Sequence, residues 1–262
     1  MKGAMKWTVV LCIVALLGGR EAQAVVALAG TRLVFDGQYR EATIEVSNPG
    51  SALALIQAWI DGATTGQPAN RNLPFVLTPH LVQIPAQGRQ LLRVLYQGRG
   101  MPTDRESLLH LYVLEVPRRS EAMQQLSIAV RQRINVFYRP PGLADDPAQS
   151  TERLVWMPED VARGVLKVRN PTPFHVALLS IVFNGTEISE DLMLEPFSEH
   201  VFQLPENLTG RAGQGSLGFK ALTDYGGQRD FCADGIDTRP FTARLRAAGA
   251  HSHPPHSLIG KC

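Results

Sequence analysis

The sequence predicts an all-β protein built from two immunoglobulin-like β-sandwiches. Short segments rich in β-branched and aromatic residues recur along the chain, and turn residues such as Asn48-Pro49-Gly50 and Asp61-Gly62 separate them. Beyond the N-terminal segment, no stretch spaces its apolar residues as a helix of three turns would. A stretch rich in proline and acidic residues, Arg139–Pro147, interrupts the β-type pattern and divides the chain.

Residues 1–24 are predicted to be a secretory signal peptide. Lys2 and Lys6 precede the apolar run Thr8–Leu17, and the small-residue motif Ala22-Gln23-Ala24 follows it. An apolar run of about 10 residues is too short for a membrane-spanning helix, which needs about 20. We therefore expect export with cleavage after Ala24, and no stable membrane insertion.

Charge and cysteine content exclude two classes of protein. Cleavage would remove Lys2, Lys6 and Arg20 but only Glu21, which leaves a mature chain with no net charge. Such a chain has no overall electrostatic attraction for nucleic acid. It would keep only Cys232 and Cys262, too few for a disulfide scaffold, and the sequence leaves open whether they pair or stay free.

The first sandwich is predicted over residues 25–141. About seven short strands in roughly 115 residues are typical of an immunoglobulin-like domain. The predicted strands are Thr31–Phe35, Glu41–Val46, Ala54–Trp59, Leu81–Ile84, Gln90–Leu95, Leu109–Val116 and Leu126–Tyr138.

The last of these strands carries an unusually long apolar row. Leu126, Ile128, Val130, Ile134 and Val136 alternate with small or polar residues, so they share one face of an extended strand. The row is too long for the small sandwich around it. We expect its surplus part to pack into another chain.

A linker over residues 142–150 leads to a second sandwich, predicted over residues 151–246, and a disordered tail is predicted over residues 247–262. The predicted strands of the second sandwich are Leu154–Met157, Gly164–Arg169, His175–Phe183, Asp191–Leu194, His200–Gln203, Leu217–Leu222 and Thr238–Leu245.

Eight short motifs in order along the chain carry a family resemblance. They are Thr31–Asp36, Val46–Pro49, Gln57–Asp61, Asp104–Leu108, Glu115–Ser120, Ile134–Pro140, Asn170–Phe174 and Asp224–Gly227. Together they resemble the periplasmic pilus chaperones of the chaperone–usher pathway, in the branch with a short loop before the last strand of the first domain.

The resemblance implies a fold and a function. The two immunoglobulin-like domains would be joined by the short linker in an angled arrangement with a cleft between them. The partners would be pilus subunits that lack their last strand, and an outer-membrane usher. The chaperone would lend its own strand to each subunit, which is donor-strand complementation, a form of β-augmentation. It would be a periplasmic protein without enzymatic activity or a cofactor.

The resemblance also implies site residues in the first domain. Leu126, Ile128 and Val130 would fill the subunit's groove as the donor strand. Arg32 matches an arginine that grips the C-terminal carboxylate of the subunit. The family's second cation is a lysine, but Asn135 occupies that position here, and the sequence leaves open whether Arg133 replaces it.

Glu106, Arg139 and Asp224 match the family's interdomain salt-bridge network, which would hold the two domains in place. One arginine between two carboxylates can form bidentate bonds.

Other functions have weaker support. The sequence contains no Gly-x-Ser-x-Gly elbow, no His-Glu-x-x-His motif and no paired-cysteine metal site, so neither an enzyme nor a metal site is predicted. The alternative from another class is a secreted structural or adhesive immunoglobulin-like protein of the cell surface. It would assemble with itself, whereas a chaperone would form a one-to-one complex with a subunit.

Overall fold

A computed structural model describes residues 26–62, 73–117, 128–246 and 262, and these residues form two β-sandwiches. The predicted all-β class with two sandwich domains is confirmed. The predicted signal peptide lies outside the described residues. The domain boundaries at 141/142 and 150/151 stay predictions.

The first sandwich consists of two sheets packed face to face. Its strands are β1 (Ala27–Leu28), β2 (Arg32–Asp36), β3 (Glu41–Ser47), β4 (Ala54–Gly62), β5 (Phe75–Thr78), β6 (Leu81–Ile84), β7 (Arg89–Tyr96), β8 (Ser107–Val116) and β9 (Val130–Arg139). One sheet has the order β1-β3-β7-β5 and the other β2-β9-β8-β4-β6. All pairs are antiparallel except β2 with β9, which run parallel.

Alternation along the strands decides which residues form the core. Ile134 and Val136 of β9 point inward with Leu111 of β8 and Phe35 of β2, and all four are buried. The intervening residues of β9, among them Arg133 and Asn135, lie on the opposite face of the sheet. The second half of the apolar row, Ile134 and Val136, therefore belongs to the core of this sandwich.

The second sandwich has its own core around Trp156, Phe183 and Phe219, which are fully buried. Its strands are β10 (Val155–Asp160), β11 (Val165–Arg169), β12 (Val176–Phe183), β13 (Thr186–Leu194), β14 (Glu199–Gln203), β15 (Gly215–Leu222), β16 (Gln228–Ile236) and β17 (Arg244–Leu245). The sheets have the orders β10-β11-β14 and β13-β12-β15-β16-β17.

The prediction for the last strand of the second sandwich was wrong. Thr238–Leu245 contains only the two-residue strand β17, whereas the nine-residue strand β16, which was not predicted, lies just before it. Pro240 has no backbone N–H for a ladder within the predicted segment. β16 escaped prediction because it opens on the polar residues Gln228, Arg229 and Asp230. The short strands β1 and β5 were also missed.

The last strand of the first sandwich is shorter than predicted. β9 starts at Val130, opposite Glu115 of β8, so Ile128 and Ala129 lie before it. Continuing that antiparallel register would place Ile128 opposite Pro117, which has no N–H to donate. The ladder between β8 and β9 therefore ends at Val130.

Cys232 and Cys262 form a disulfide, which settles the alternative that the sequence left open. Cys262 is held further by its backbone, whose N–H donates to Asp234 at 2.5 Å and whose carbonyl accepts from Arg244 at 2.9 Å. The predicted disordered tail is corrected at its final residue, which is bound to β16. Residues 247–261 lie outside the described part of the chain.

Candidate functional site

One half of β9 forms an open sheet edge. β2 pairs with β9 only from Asn135 to Arg139, while β8 pairs with β9 from Val130 to Tyr138. β1, which precedes β2 in the chain, pairs with β3 in the other sheet. In the described part of the chain, residues 130–134 of β9 thus have no strand on the side away from β8. Such an edge presents unpaired N–H and C=O groups to an added strand.

The predicted donor residues lie at or before this open edge. Ile128 is 68% exposed, an unusual value for a large apolar side chain, and Val130 is partly buried where β9 begins. Leu126 lies outside the described residues. The apolar row therefore passes from exposed side chains at Ile128 to core side chains at Ile134 and Val136.

Arg32 lies where the open edge ends. It is the first residue of β2 and the Cα partner of Asn135, and its guanidinium packs 5.6 Å from the centre of the Phe137 ring. Its Nε is buried and forms no hydrogen bond to any described residue. Burial lowers the pKa of Arg32, although Asp224 and Glu106 oppose the effect. A buried cationic donor without an acceptor is suited to binding an anion.

Arg32 belongs to a row of polar side chains that crosses four strands. Asn135 pairs with Arg32 on one side and with His110 on the other, and His110 pairs with Asp61 of β4. Paired residues share a face of the sheet. His110 and Asp61 were not predicted from the sequence, although the alternation of β8 places His110 on this face.

Arg133 lies two residues before Asn135 on β9, in the next row of the same face. Its Cα partner is Tyr112, whose ring stacks on Trp59 with centroids 5.2 Å apart. Arg131 also covers Tyr112, with its guanidinium carbon 5.4 Å from the ring centre. Arg133 is exposed on the same face as Asn135. The structure thus brings Arg32 and Asn135 together and places Arg133 next along β9.

His110 is only 8% exposed despite lying on the outer face of its sheet. Burial lowers the pKa of its imidazole, the charge of Arg133 lowers it further, and Asp61 acts in the opposite direction. The ring is therefore neutral at neutral pH.

Glu106, Arg139 and Asp224 form one network that joins the two sandwiches. Arg139 donates from Nε to Glu106 at 2.7 Å and from Nη1 and Nη2 to the two oxygens of Asp224 at 2.6 and 2.7 Å. Burial alone would lower the pKa of Arg139, but Asp224 and Glu106 together raise it well above its usual value. The guanidinium is held as a permanent cation between two anions.

His175 is a fourth member of this network that sequence reasoning missed. Its backbone N–H donates to Glu106 Oε1 at 3.2 Å, and its Nδ1 lies 3.0 Å from the same oxygen. Glu106 also donates its backbone N–H to Pro173 at 2.8 Å. No periodicity marks His175, which simply follows the Asn170–Phe174 motif.

The loop that carries Asp224 comes very close to the start of β2. Gly226 has φ +79°, and a Cβ atom there would lie 2.6 Å from Thr31 Oγ1. A larger residue would be strained and would also clash. Glycine at this position lets Asp224 reach Arg139 from the second sandwich.

Within the described ranges, no three His, Cys, Asp or Glu side chains are grouped so that they could hold a metal ion. A helix long and apolar enough to cross a membrane is also absent from the residues described.

Comparison with known proteins gives matches along most of the chain. Residues 25–144 match the family described as pili and flagellar-assembly chaperone, PapD N-terminal domain, and residues 149–233 match the pili assembly chaperone PapD, C-terminal domain. The chaperone protein FimB/FhaD of Bordetella pertussis is 36% identical over 217 residues, which cover 79% of this chain and 86% of that protein.

Two further proteins are similar to the chain. The probable fimbrial chaperone YadV of Escherichia coli K12 is 31% identical over 85% of this chain and 95% of its own length. Its crystal structure matches with a TM-score of 0.65 and covers 79% of this chain and 98% of that one. A structure of the Salmonella enterica SafA pilin in complex with the SafB chaperone matches with a TM-score of 0.65 at 27% identity, over 85% of this chain and 96% of that one.

Proposed function

Because this chain belongs to the PapD family of pilus assembly chaperones, we propose that it binds pilus subunits in the periplasm and caps them with the open edge of β9. The family match confirms the resemblance that the sequence motifs indicated. The observation that carries the proposal is an open strand edge that ends at Arg32, whose buried Nε has no acceptor among the described residues.

The direction of β2 supports this reading of the edge. β2 lies beside the second half of β9 and runs parallel to it. A subunit strand added beside residues 130–134 in the same direction would lie in line with β2. Its C-terminus would then meet Arg32, the first residue of β2. A guanidinium is well suited to a terminal carboxylate, because its planar fork matches the two oxygens.

The side chains at the edge would supply the remaining affinity. Leu126, Ile128 and Val130 are the residues proposed to fill the groove of the subunit, and each would contribute roughly 1.5–3 kcal/mol on full burial. A charge-assisted bond from Arg32 would add roughly 1.5–3 kcal/mol. Backbone hydrogen bonds form with any sequence, so they do not by themselves fix the register of the subunit strand on β9. The contact between its terminal carboxylate and Arg32 would fix that register.

Asn135 and Arg133 complete the proposed anchor. Asn135 lies directly beside Arg32 and can donate hydrogen bonds, but it carries no charge. Arg133, exposed and next along the same face of β9, is proposed to provide a second permanent cation.

The proposed delivery of the subunit to an outer-membrane usher depends on exchange of one strand for another. A strand that fits the subunit groove better than β9 does would displace the chaperone, and the subunit would gain free energy by completing its fold. The proposed cycle therefore needs neither an enzymatic step nor a cofactor. The SafA pilin bound to the SafB chaperone, in a structure that resembles this chain, supports pilus subunits as the partner class.

Co-expression with a pilus subunit from the same genome tests the proposal. We expect the two proteins in a periplasmic extract to elute as a one-to-one complex on size-exclusion chromatography. Arg32→Ala should abolish that complex. Arg163→Ala is the matched control, because Arg163 is 84% exposed in the second sandwich.

Arg133→Ala tests the second cation in the same experiment, and we expect a partial loss of complex. Unchanged recovery in both Arg32→Ala and Arg133→Ala would contradict the anchor. Failure of the wild-type chain to hold any subunit would contradict the function itself.

A further inference from the structure

His110 occupies a position next to the proposed carboxylate site that the family resemblance does not assign. Asn135 has two neighbours in its sheet, Arg32 on β2 and His110 on β8. Neighbouring strands lie about 4.8 Å apart. A carboxylate held between Arg32 and Asn135 is thus one strand away from the imidazole. His110 lies in the same cross-strand row as Asn135, whereas Arg133 lies in the next row, opposite Tyr112.

The surroundings of His110 contain few other ionisable groups. On its outer face it meets Asp61 from β4 and Arg133 from β9, while Tyr112 lies on its own strand with ring centroids 6.1 Å apart. Arg32 is two strands away. The free protein therefore has two arginines and one aspartate around a largely buried imidazole, and burial keeps that imidazole neutral.

We propose that His110 is a third cationic ligand of the subunit's C-terminal carboxylate, beside Arg32 and Arg133, and makes capture of the subunit pH-dependent. The inference depends on the proposed function, because it needs a carboxylate at Arg32. The inference also bears on Asn135, which stands where the family has a lysine. His110, the Cα partner of Asn135 on β8, would supply a positive charge beside that position once its imidazole is protonated.

The sign of the pH effect follows from linkage. A bound carboxylate favours the imidazolium, so His110 takes up a proton when the complex forms. Affinity then rises as the pH falls through the pKa of His110 in the complex, and it stops rising below the lower pKa of His110 in the free protein. Above both values the only cations that contribute to binding of the carboxylate are Arg32 and Arg133.

Two synthetic peptides test the inference. Both have the same alternating valine and threonine sequence, but one ends in a free carboxylate and the other in an amide. Their affinities for the chain from Val25 onward are measured by calorimetry at about pH 5.5 and about pH 8, on either side of the usual histidine range. We expect the carboxylate peptide to bind up to about tenfold more tightly at the lower pH, the change that one pKa unit gives. The amide peptide should show no such gain.

Two variants separate a binding role from a structural one. His110→Gln should bind the carboxylate peptide at both pH values as the wild type does at the higher one. Adding Asn135→Lys to that variant should restore tight binding without pH dependence. A residue that merely supported the fold would not give this pattern, because its replacement would weaken binding of both peptides at both pH values.

The outcomes distinguish this inference from the proposed function. If the carboxylate peptide binds equally at both pH values and is lost in Arg32→Ala, the proposed function stands and the role of His110 is overturned. Full pH dependence in His110→Gln would also overturn it. If neither peptide binds at either pH, both the inference and the proposed function are overturned.

Discussion

At Arg32 the protein keeps a partly buried guanidinium against Phe137 without an acceptor for Nε among the described residues. Burial penalises the charge, as the lowered pKa of Arg32 indicates. The free chain thus leaves a buried polar atom unpaired among the described residues, and a bound anion would satisfy it. This is the pattern expected of a binding residue, since an arginine serving stability alone would be paired.

Replacing Arg32 should therefore separate stability from function. We expect Arg32→Met to leave the free energy of unfolding unchanged or raise it by up to about 1 kcal/mol, because it removes a buried unpaired donor and keeps the packing on Phe137. The same variant should retain no subunit. Denaturant unfolding of the free chain and co-purification with the subunit measure the two effects. A loss of more than about 2 kcal/mol would indicate a structural arginine instead.

At the scale of elements, β9 serves two purposes along its length. Its second half is enclosed between β2 and β8 and completes the core of its own sandwich. Its first half has β8 alone as a neighbour in the described part of the chain, and Ile128 before it is exposed. The change occurs at Asn135, which lies opposite Arg32, the first residue of β2. The same residue therefore marks the end of the open edge and the centre of the proposed anchor.

A charge at Ile128 should remove subunit binding without harming the fold. Because Ile128 is 68% exposed, we expect Ile128→Asp to change stability by at most about 0.5 kcal/mol. An aspartate in the groove of the subunit would be buried without a partner, so the complex should be lost. Val201→Asp on β14 is the control, since Val201 is 52% exposed in the second sandwich. Equal recovery of subunit with both variants would show that Ile128 does not enter the groove.

At the scale of the whole molecule, one buried network connects the sandwiches. Glu106 is held by Arg139 from its own domain and by His175 from the other, and Arg139 reaches Asp224. A second contact places Arg105 5.2 Å from the ring centre of Phe197. The Asp224 loop also touches Thr31 beside Arg32. The network that joins the domains therefore adjoins the proposed anchor.

Removing Arg139 should destabilise the protein strongly. The Glu106 side chain is only 1% exposed, and Arg139→Ala would leave it charged and buried without that partner. We expect a loss of about 3–5 kcal/mol, as for other buried pairs broken on one side. Asp224→Ala should cost less, because that carboxylate is 36% exposed. Denaturant midpoints measure both, with Arg163→Ala as the exposed control. An Arg139→Ala midpoint equal to that of the control would mean that the network does not stabilise the protein.

Local pattern in the sequence determined the all-β class, the two sandwiches and most of the strands, because alternation of apolar residues records which side of each strand is buried. It failed where that record is weak, as in β16, whose first residues are polar, and before β9, where Pro117, just past the end of β8, ends the pairing. The family motifs pointed to Arg32, Glu106, Arg139 and Asp224.

Only the tertiary structure decided which residues meet across strands. Asn135 lies between Arg32 and His110, residues far apart in the chain, because the registers of β2 and β8 on β9 place them there. The same holds for His175 on Glu106 and for Cys262 on Cys232. A sequence pattern specifies burial residue by residue, whereas register depends on how distant segments pack together. The fold and the candidate anchor residues Arg32, Asn135 and Arg133 could therefore be read from the chain, but the place of His110 beside them could not.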